Sequence, residues 1–352
     1  MAYTTIDDPS AHFKVQLYTG TGSSHAVTFD DTDTDMQPDL VWVATRNENE
    51  IQPIMNSVSG TGKYLRTNAN DSEESAAESI KAFGSDGFTM GTENRVNQSS
   101  NTFVAWCWKA GGPAASVASN TAGSINTTKT SANTTSGFSI STFTGTGANA
   151  TIGHGIGIAP EWVIVKKTDG VQSWPVFHKY GLDETDKLYL NTTAATADSA
   201  AYWQDTLPST TLITLGSDDD VNASSAAFLA LAWSPVQGFS KFGKYTGDGL
   251  ADGPFVHTGF RPAFVLVKKA SATDNWFLFD NKREGYNAIN DALRPNLSNS
   301  ELNLSGVAMD LLSNGFKLRS GDDDLNDSNT FIYMAFAEAP EVNSNGVPCN
   351  AR

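Results

Sequence analysis

The chain has few cysteines, few positive charges and no long apolar run. Only two of its 352 residues are cysteine, Cys107 and Cys349. That is too few for a disulfide scaffold, so synthesis in a reducing compartment is the simpler expectation. Lys and Arg total 23 against 39 Asp and Glu, a formal net charge of −16. Phosphate backbones are bound by clustered Lys and Arg, so no nucleic-acid partner is expected, and an acidic surface mainly favours solubility. No run approaches the ~20 apolar residues that span a bilayer, and the opening "MAYTTIDDPSAHF" lacks the charged-then-apolar pattern of a secretion signal. A product made soluble in the cytoplasm, with no membrane insertion, is expected. Helical periodicity is also scarce; the best candidate is "DSEESAAESIKAF", residues 71–83.

What is present is a sentence written three times. "YTGTG", "FTGTG" and "YTGDG" place an anchoring glycine at Gly20, Gly145 and Gly247. The offset from this glycine to the proline opening the next apolar run is +15 in two copies (Gly145 to Pro160, Gly247 to Pro262) and +18 in the first (Gly20 to Pro38), where "DDTDTD" reads as an insertion. The phenylalanine of a later run stands at +83, +83 and +84 from the anchor, as Phe103, Phe228 and Phe331. Three landmarks in register over such a distance mark tandem copies of one domain, too long for solenoid units and each large enough for its own core.

The expected organisation is a first repeat over residues 1–109 with a short N-terminal arm, a Ser/Thr/Ala/Gly-rich linker over 110–137, a second repeat over 138–237, a third over 238–340, and a tail over 341–352. Because only "SPVQG" separates the second and third copies, these two are expected to pack as a unit, with the first more independent. Runs such as "PEWVIVKK", "PAFVLVKK", "FLALAW" and "FIYMAF" are short, β-branched and aromatic, bounded by Gly, Asn, Asp and Pro. The fold expected is all-β, three tandem antiparallel β-sandwiches of jelly-roll or lectin-like type. In the last strand of each copy both alternating faces are apolar, as in Val104, Trp106, Trp108 against Phe103, Ala105, Cys107. That strand should be central, with Cys107 a small buried hydrophobe in the place of Ala232 and Ala335.

Catalytic motifs fail in turn. "GTGANA" lacks a third glycine and leads into a strand, and "SGTGKY" lacks both the upstream glycine and the following Ser or Thr of a phosphate loop. His154 and His257 occupy comparable loops at different offsets and read as hydrogen-bonded strand-end residues. The carboxylates form no recognisable acid and nucleophile pair. No catalytic residue, metal site or cofactor is therefore assigned.

Two constellations remain. Asp218–Asp220 in "SDDDVN" and Asp322–Asp324 in "GDDDLN" read as solvated hairpin turns, with calcium binding the competing reading; the first copy carries Arg95 at the third position. Trp174 and Phe177, and Trp276 and Phe279, stand at +14 and +17 from their prolines, where the first copy has Gln52 and Met55. Packing in a sandwich core is the leading reading of these aromatics. Stacking on sugar rings beside His178 and Asp280 is the competing one, and Trp203 in "AAYWQD" is the candidate with the most exposed setting. The candidate glycan contacts are thus Trp174, His178, Trp203, Trp276 and Asp280.

Together "YTGTG", "FVAWCWKAGG", "GHGIGIAPEWVIVKK", "FSKFGKYTGDGLADGPFVHTGFRPAFVLVKK" and "FIYMAFAE" resemble a triplicated β-domain family of uncharacterised function found in structural genes of tailed, mostly marine, bacteriophages. The resemblance covers essentially the whole chain, including "GVPCNAR". It implies a non-enzymatic virion protein of tail or fibre type with other virion proteins as partners, contributing to host contact as a homo-oligomer, a trimer favoured. The family has no established catalytic residues to carry over. Capsid decoration and a lectin-like glycan-binding module are the alternatives, and depolymerisation of host polysaccharide comes last.

Overall fold

The structure, a computed structural model, describes residues 3–29, 34–303 and 308–340. Cys349 and the expected tail over 341–352 lie outside the described residues. The protein is all-β, built of antiparallel sheets with single helical turns between them.

One strand order occurs three times. In the first large sheet Thr102–Trp108 lies between Phe13–Thr19 and Leu40–Thr45, and Pro53–Asn56 follows at the next place. In the second Ala227–Trp233 lies between Phe138–Thr144 and Trp162–Lys167, followed by Pro175–His178. In the third Thr330–Pro340 lies between Ser240–Thr246 and Phe260–Lys269, followed by Trp276–Asp280. The register repeats too. Val15, Trp106 and Trp42 form one cross-strand row, Ile140, Leu231 and Ile164 the next, and Phe242, Met334 and Leu266 the third. Leu40, Trp162 and Phe264, each at +2 from its proline, face Trp108, Trp233 and Phe336.

Alternation along the last strand sends its two faces into different cores. Phe103, Ala105 and Cys107 pack under the small sheet that pairs His25–Thr28 with Gly87–Met90. Phe228, Ala230 and Ala232 pack under Ala150–Gly153 and Leu212–Leu215, and Phe331, Tyr333 and Ala335 under Phe255–His257 and Gly315–Leu318. Cys107 is fully buried with a free thiol, as its alternation with alanine implies, and burial pushes that thiol up from its ordinary pKa. The opposite faces, including Trp106, Trp108, Leu231, Trp233, Met334 and Phe336, meet in one shared central core. Trp108 lies edge-on to Trp233 at 6.2 Å and to Phe336 at 5.6 Å. The expected independence of the first segment is corrected by this core, because all three large sheets bury apolar faces against one another.

Two further expectations are corrected. Residues 71–83 hold no helix; Glu74–Ser75 and the start of Ile80–Gly84 are strands, the former beside Lys63–Arg66. Residues 110–137 are not only a linker, because Lys129–Asn133 pairs antiparallel with Phe138–Thr144 and extends the second sheet.

The thrice-written TG element now has a physical cause. Gly20, Gly145 and Gly247 lie so close to the carbonyls of Gln98, Ala223 and Asp327 that a Cβ would overlap them. Gly22, Gly147 and Gly249 have φ of 68°, 73° and 69°, the left-handed region that side chains disfavour. A buried asparagine clamps each turn. Asn97 Oδ1 accepts from Thr21 N at 2.9 Å, Asn222 Oδ1 from Thr146 N at 2.8 Å, and Asn326 Oδ1 from Asp248 N at 3.0 Å.

Candidate functional site

The glycan-contact candidates are all buried, and four of the five join one segment to another. Trp174 Nε1 donates to Ala69 O at 2.9 Å, and Trp276 Nε1 donates to Tyr189 O at 3.0 Å. In the first copy Gln52 stands at the same offset, and its Nε2 donates to Arg294 O at 2.9 Å. The second segment thus reaches the first, the third reaches the second, and the first reaches the third. A matching set of backbone bonds runs the other way: Glu73 N to Thr168 O at 2.8 Å, Thr196 N to Ala270 O at 2.9 Å, and Glu301 N to Arg46 O at 2.8 Å. Heterologous contacts that return to their start form a closed ring, here within one chain.

His178 Nδ1 accepts from Tyr180 N at 2.9 Å, which leaves Nε2–H facing Tyr333 O at 3.4 Å. Burial drives its pKa down to about 3, so the ring is neutral. Asp280 accepts from Trp106 Nε1 at 3.2 Å and pairs with Arg283 at 2.6 Å. Trp203 packs edge-on to Phe177 at 5.9 Å inside the second segment's core. As sugar contacts these five are corrected: each is 0–1% exposed, and a stacked sugar needs an open aromatic face. The core reading of the tryptophans is the one their burial supports.

Lys166 and Lys268 are also buried at these boundaries. Lys166 Nζ donates to Asn70 O at 3.0 Å and Lys268 Nζ to Thr193 O at 3.3 Å. Burial lowers both to a pKa of about 8. The first copy has Ala44 in their place. That boundary instead carries charge pairs, Arg46 with Glu301 at 2.9 Å and Arg283 with Glu301 at 3.0 Å. Burial opposes the Glu301 charge, yet the two arginines hold its carboxyl below the ordinary range.

The aspartate runs are helix caps rather than hairpin turns. Asp218 Oδ1 accepts from Asp220 N, and Asp322 Oδ1 from Asp324 N, both at 2.9 Å, at the start of Asp219–Asn222 and Asp323–Asn326. Asp220 is further held by Tyr202 OH at 3.0 Å. Among the described residues no three His, Cys, Asp or Glu side chains are grouped to hold a metal ion.

Each boundary also has an outer groove. It is made of the residue after the recurring proline, the loop at +19 and +20 from that proline, and the next segment's first strand. Between the first and second segments those residues are Asp39, Ser57 and Ser139, all buried, because residues 110–133 fill the groove. Ala110 N and Gly112 N donate to Asp39 Oδ2 at 2.8 and 3.2 Å, and Ala114 N to Ser57 O at 3.3 Å. Between the third and first, Ala263, Lys282 and Lys14 line a space of about 170 Å³. Between the second and third, Glu161, Tyr180 and Lys241 line one of about 460 Å³. There Glu161 takes Lys179 Nζ and Tyr180 OH, each at 3.0 Å. Phe255, 44% exposed, and His257 stand nearby. This open groove is the candidate functional site. Glu161, Tyr180 and Lys241 come from three separate stretches of chain, and Tyr3 and His257 line the same space from two more, so sequence spacing alone did not reveal it.

The family described as "Domain of unknown function (DUF7483)" matches residues 8–340, and the chain belongs to it. The match is one block containing all three segments. No curated protein and no solved structure matches the chain.

Proposed function

We propose that this protein is a non-enzymatic structural component of a bacteriophage particle, tail-associated or fibre-like, made of three copies of a two-layer jelly-roll or lectin-like sandwich. Other virion proteins, and further copies of itself, are its partners, and host-surface contact is its task. The observation that supports this reading is the use of the buried polar and aromatic residues. Trp174, Trp276, Gln52, Asp280 and the two lysines join segments into one closed body. A rigid body with an outward polar and aromatic groove suits a part that transmits load and makes contact.

The test is localisation on purified particles from an infected host, using gold-labelled antibody against the ring. Label on the tail supports the proposal. Label on the capsid moves the role to decoration, and absence of the chain from purified particles overturns it.

A further inference from the structure

The three outer grooves are equivalent by position, and the chain itself shows what one of them accepts. In the second segment the edge of Phe138–Thr144 is covered by Lys129–Asn133, with Lys129 opposite Thr142, Ser131 opposite Ile140 and Asn133 opposite Phe138. Counted from the anchoring glycines, Phe138, Ile140 and Thr142 correspond to Ser240, Phe242 and Lys244 of the third segment. Ser240–Thr246 is the edge of its sheet. Gly247 N bonds Asn329 O, so Tyr245 and Gly243 point their peptide groups at Thr330–Pro340, while those of Lys244 and Phe242 point outward. The outward groups of Phe242 and Lys244 meet no partner among the described residues.

We propose that the groove between the second and third segments is a strand-accepting site. It binds an extended segment of another polypeptide antiparallel to Ser240–Thr246, as Lys129–Asn133 is bound to Phe138–Thr144. The occupant is defined by its chemistry. Main-chain groups supply the bonding, and the residue opposite Phe242 takes the place of Ser131, so it is small. Opposite Lys244 the internal strand has Lys129, which would place like charges together; the external strand carries Asp or Glu there instead. Glu161 is already held by Lys179 and Tyr180, so the strand edge receives the partner and no carboxylate needs to be freed. The inference does not depend on the protein being part of a particle.

The test uses the full chain and a fluorescent synthetic peptide of residues 127–135 carrying Lys129→Glu, followed by anisotropy. In this register the N–H of Ser131 faces the edge strand and that of Thr130 faces away. Saturable binding at one site is expected, weakened at least tenfold by N-methylation at Ser131 and unchanged by N-methylation at Thr130. Lys244→Pro removes an outward N–H that the sheet's own ladder does not use, so the fold should persist, checked by circular dichroism, and peptide binding should fall at least tenfold. The unsubstituted peptide, with lysine kept, should bind more weakly at low salt. No saturable binding, or equal effects of the two N-methyl groups, overturns the proposal. So does a self-association of the chain that Lys244→Pro abolishes, because the occupant would then be a second copy.

Discussion

The indole N–H of Trp106 donates to Asp280 Oδ2 at 3.2 Å, joining the last strand of the first segment to the fourth strand of the third. The same carboxylate holds Arg283 at 2.6 Å, and both charges are buried. Removing one partner of such a pair leaves the other uncompensated, at a typical cost of about 3–5 kcal/mol, whereas replacing both by apolar groups is often close to neutral. Asp280→Asn should therefore lower the urea midpoint strongly, and Asp280→Leu with Arg283→Met should recover part of it, since Glu301 then keeps Arg46 alone as its partner. Equal stability of the wild type and Asp280→Asn would show that this joint does not hold the ring.

Trp174 and Trp276 are fully buried and each spans a boundary. Trp174→Ala and Trp276→Ala should each cost about 3–5 kcal/mol. Gln52→Ala at the third equivalent position should cost nearer to about 1–3 kcal/mol, because a buried carbonyl loses its donor but little apolar volume is lost. Thermal unfolding of the three variants checks the ranking, and a Gln52→Ala penalty as large as that of either tryptophan would contradict it.

A fragment beginning near Ser136 keeps the second and third segments but strips Trp42, Trp106 and Trp108 from the central core. It should bind a hydrophobic dye and self-associate on size exclusion, as should a fragment ending at Gly238. A monodisperse fragment in either case would mean that the ring is not one cooperative body.

The buried lysines set a pH dependence. Lys166 and Lys268 have folded pKa values of about 8, below the ordinary 10.5, with burial the main cause. Between about pH 8 and 10.5 the unfolded chain binds more protons than the folded one, so these groups make stability rise with pH across that window. Below pH 8 their full cost is present, on the order of 3 kcal/mol per lysine at about 1.36 kcal/mol per pKa unit. Lys268→Met should gain on the wild type at pH 7 and lose that advantage by pH 10. Melting temperatures at the two values test this, and a difference between the proteins that does not change with pH would rule out titration of Lys268.

The linear pattern determined the strands, their threefold recurrence and the central place of the last strand. Each of these depends on local chemistry: the apolar character of both faces of Phe103–Trp108, the turn in which Gly20 has no room for a Cβ and Gly22 has a positive φ, and prolines just ahead of Leu40, Trp162 and Phe264. Spacing also picked out position +14, where Trp174, Trp276 and Gln52 stand, yet it treated Gln52 as a departure from the pattern. Only the tertiary structure showed that an amide and two indoles do the same work there, since each is an N–H donor aimed at a neighbouring segment's carbonyl. Which apolar face of a two-faced strand meets which partner is likewise decided by packing between distant stretches, and burial of Trp174, His178, Trp203, Trp276 and Asp280 follows from closing the ring. The open groove has the same origin: Glu161, Tyr180 and Lys241 become neighbours only through the ring's closure, and their groove stays open because residues 110–133 cover the first boundary while no described segment covers the second in the same way.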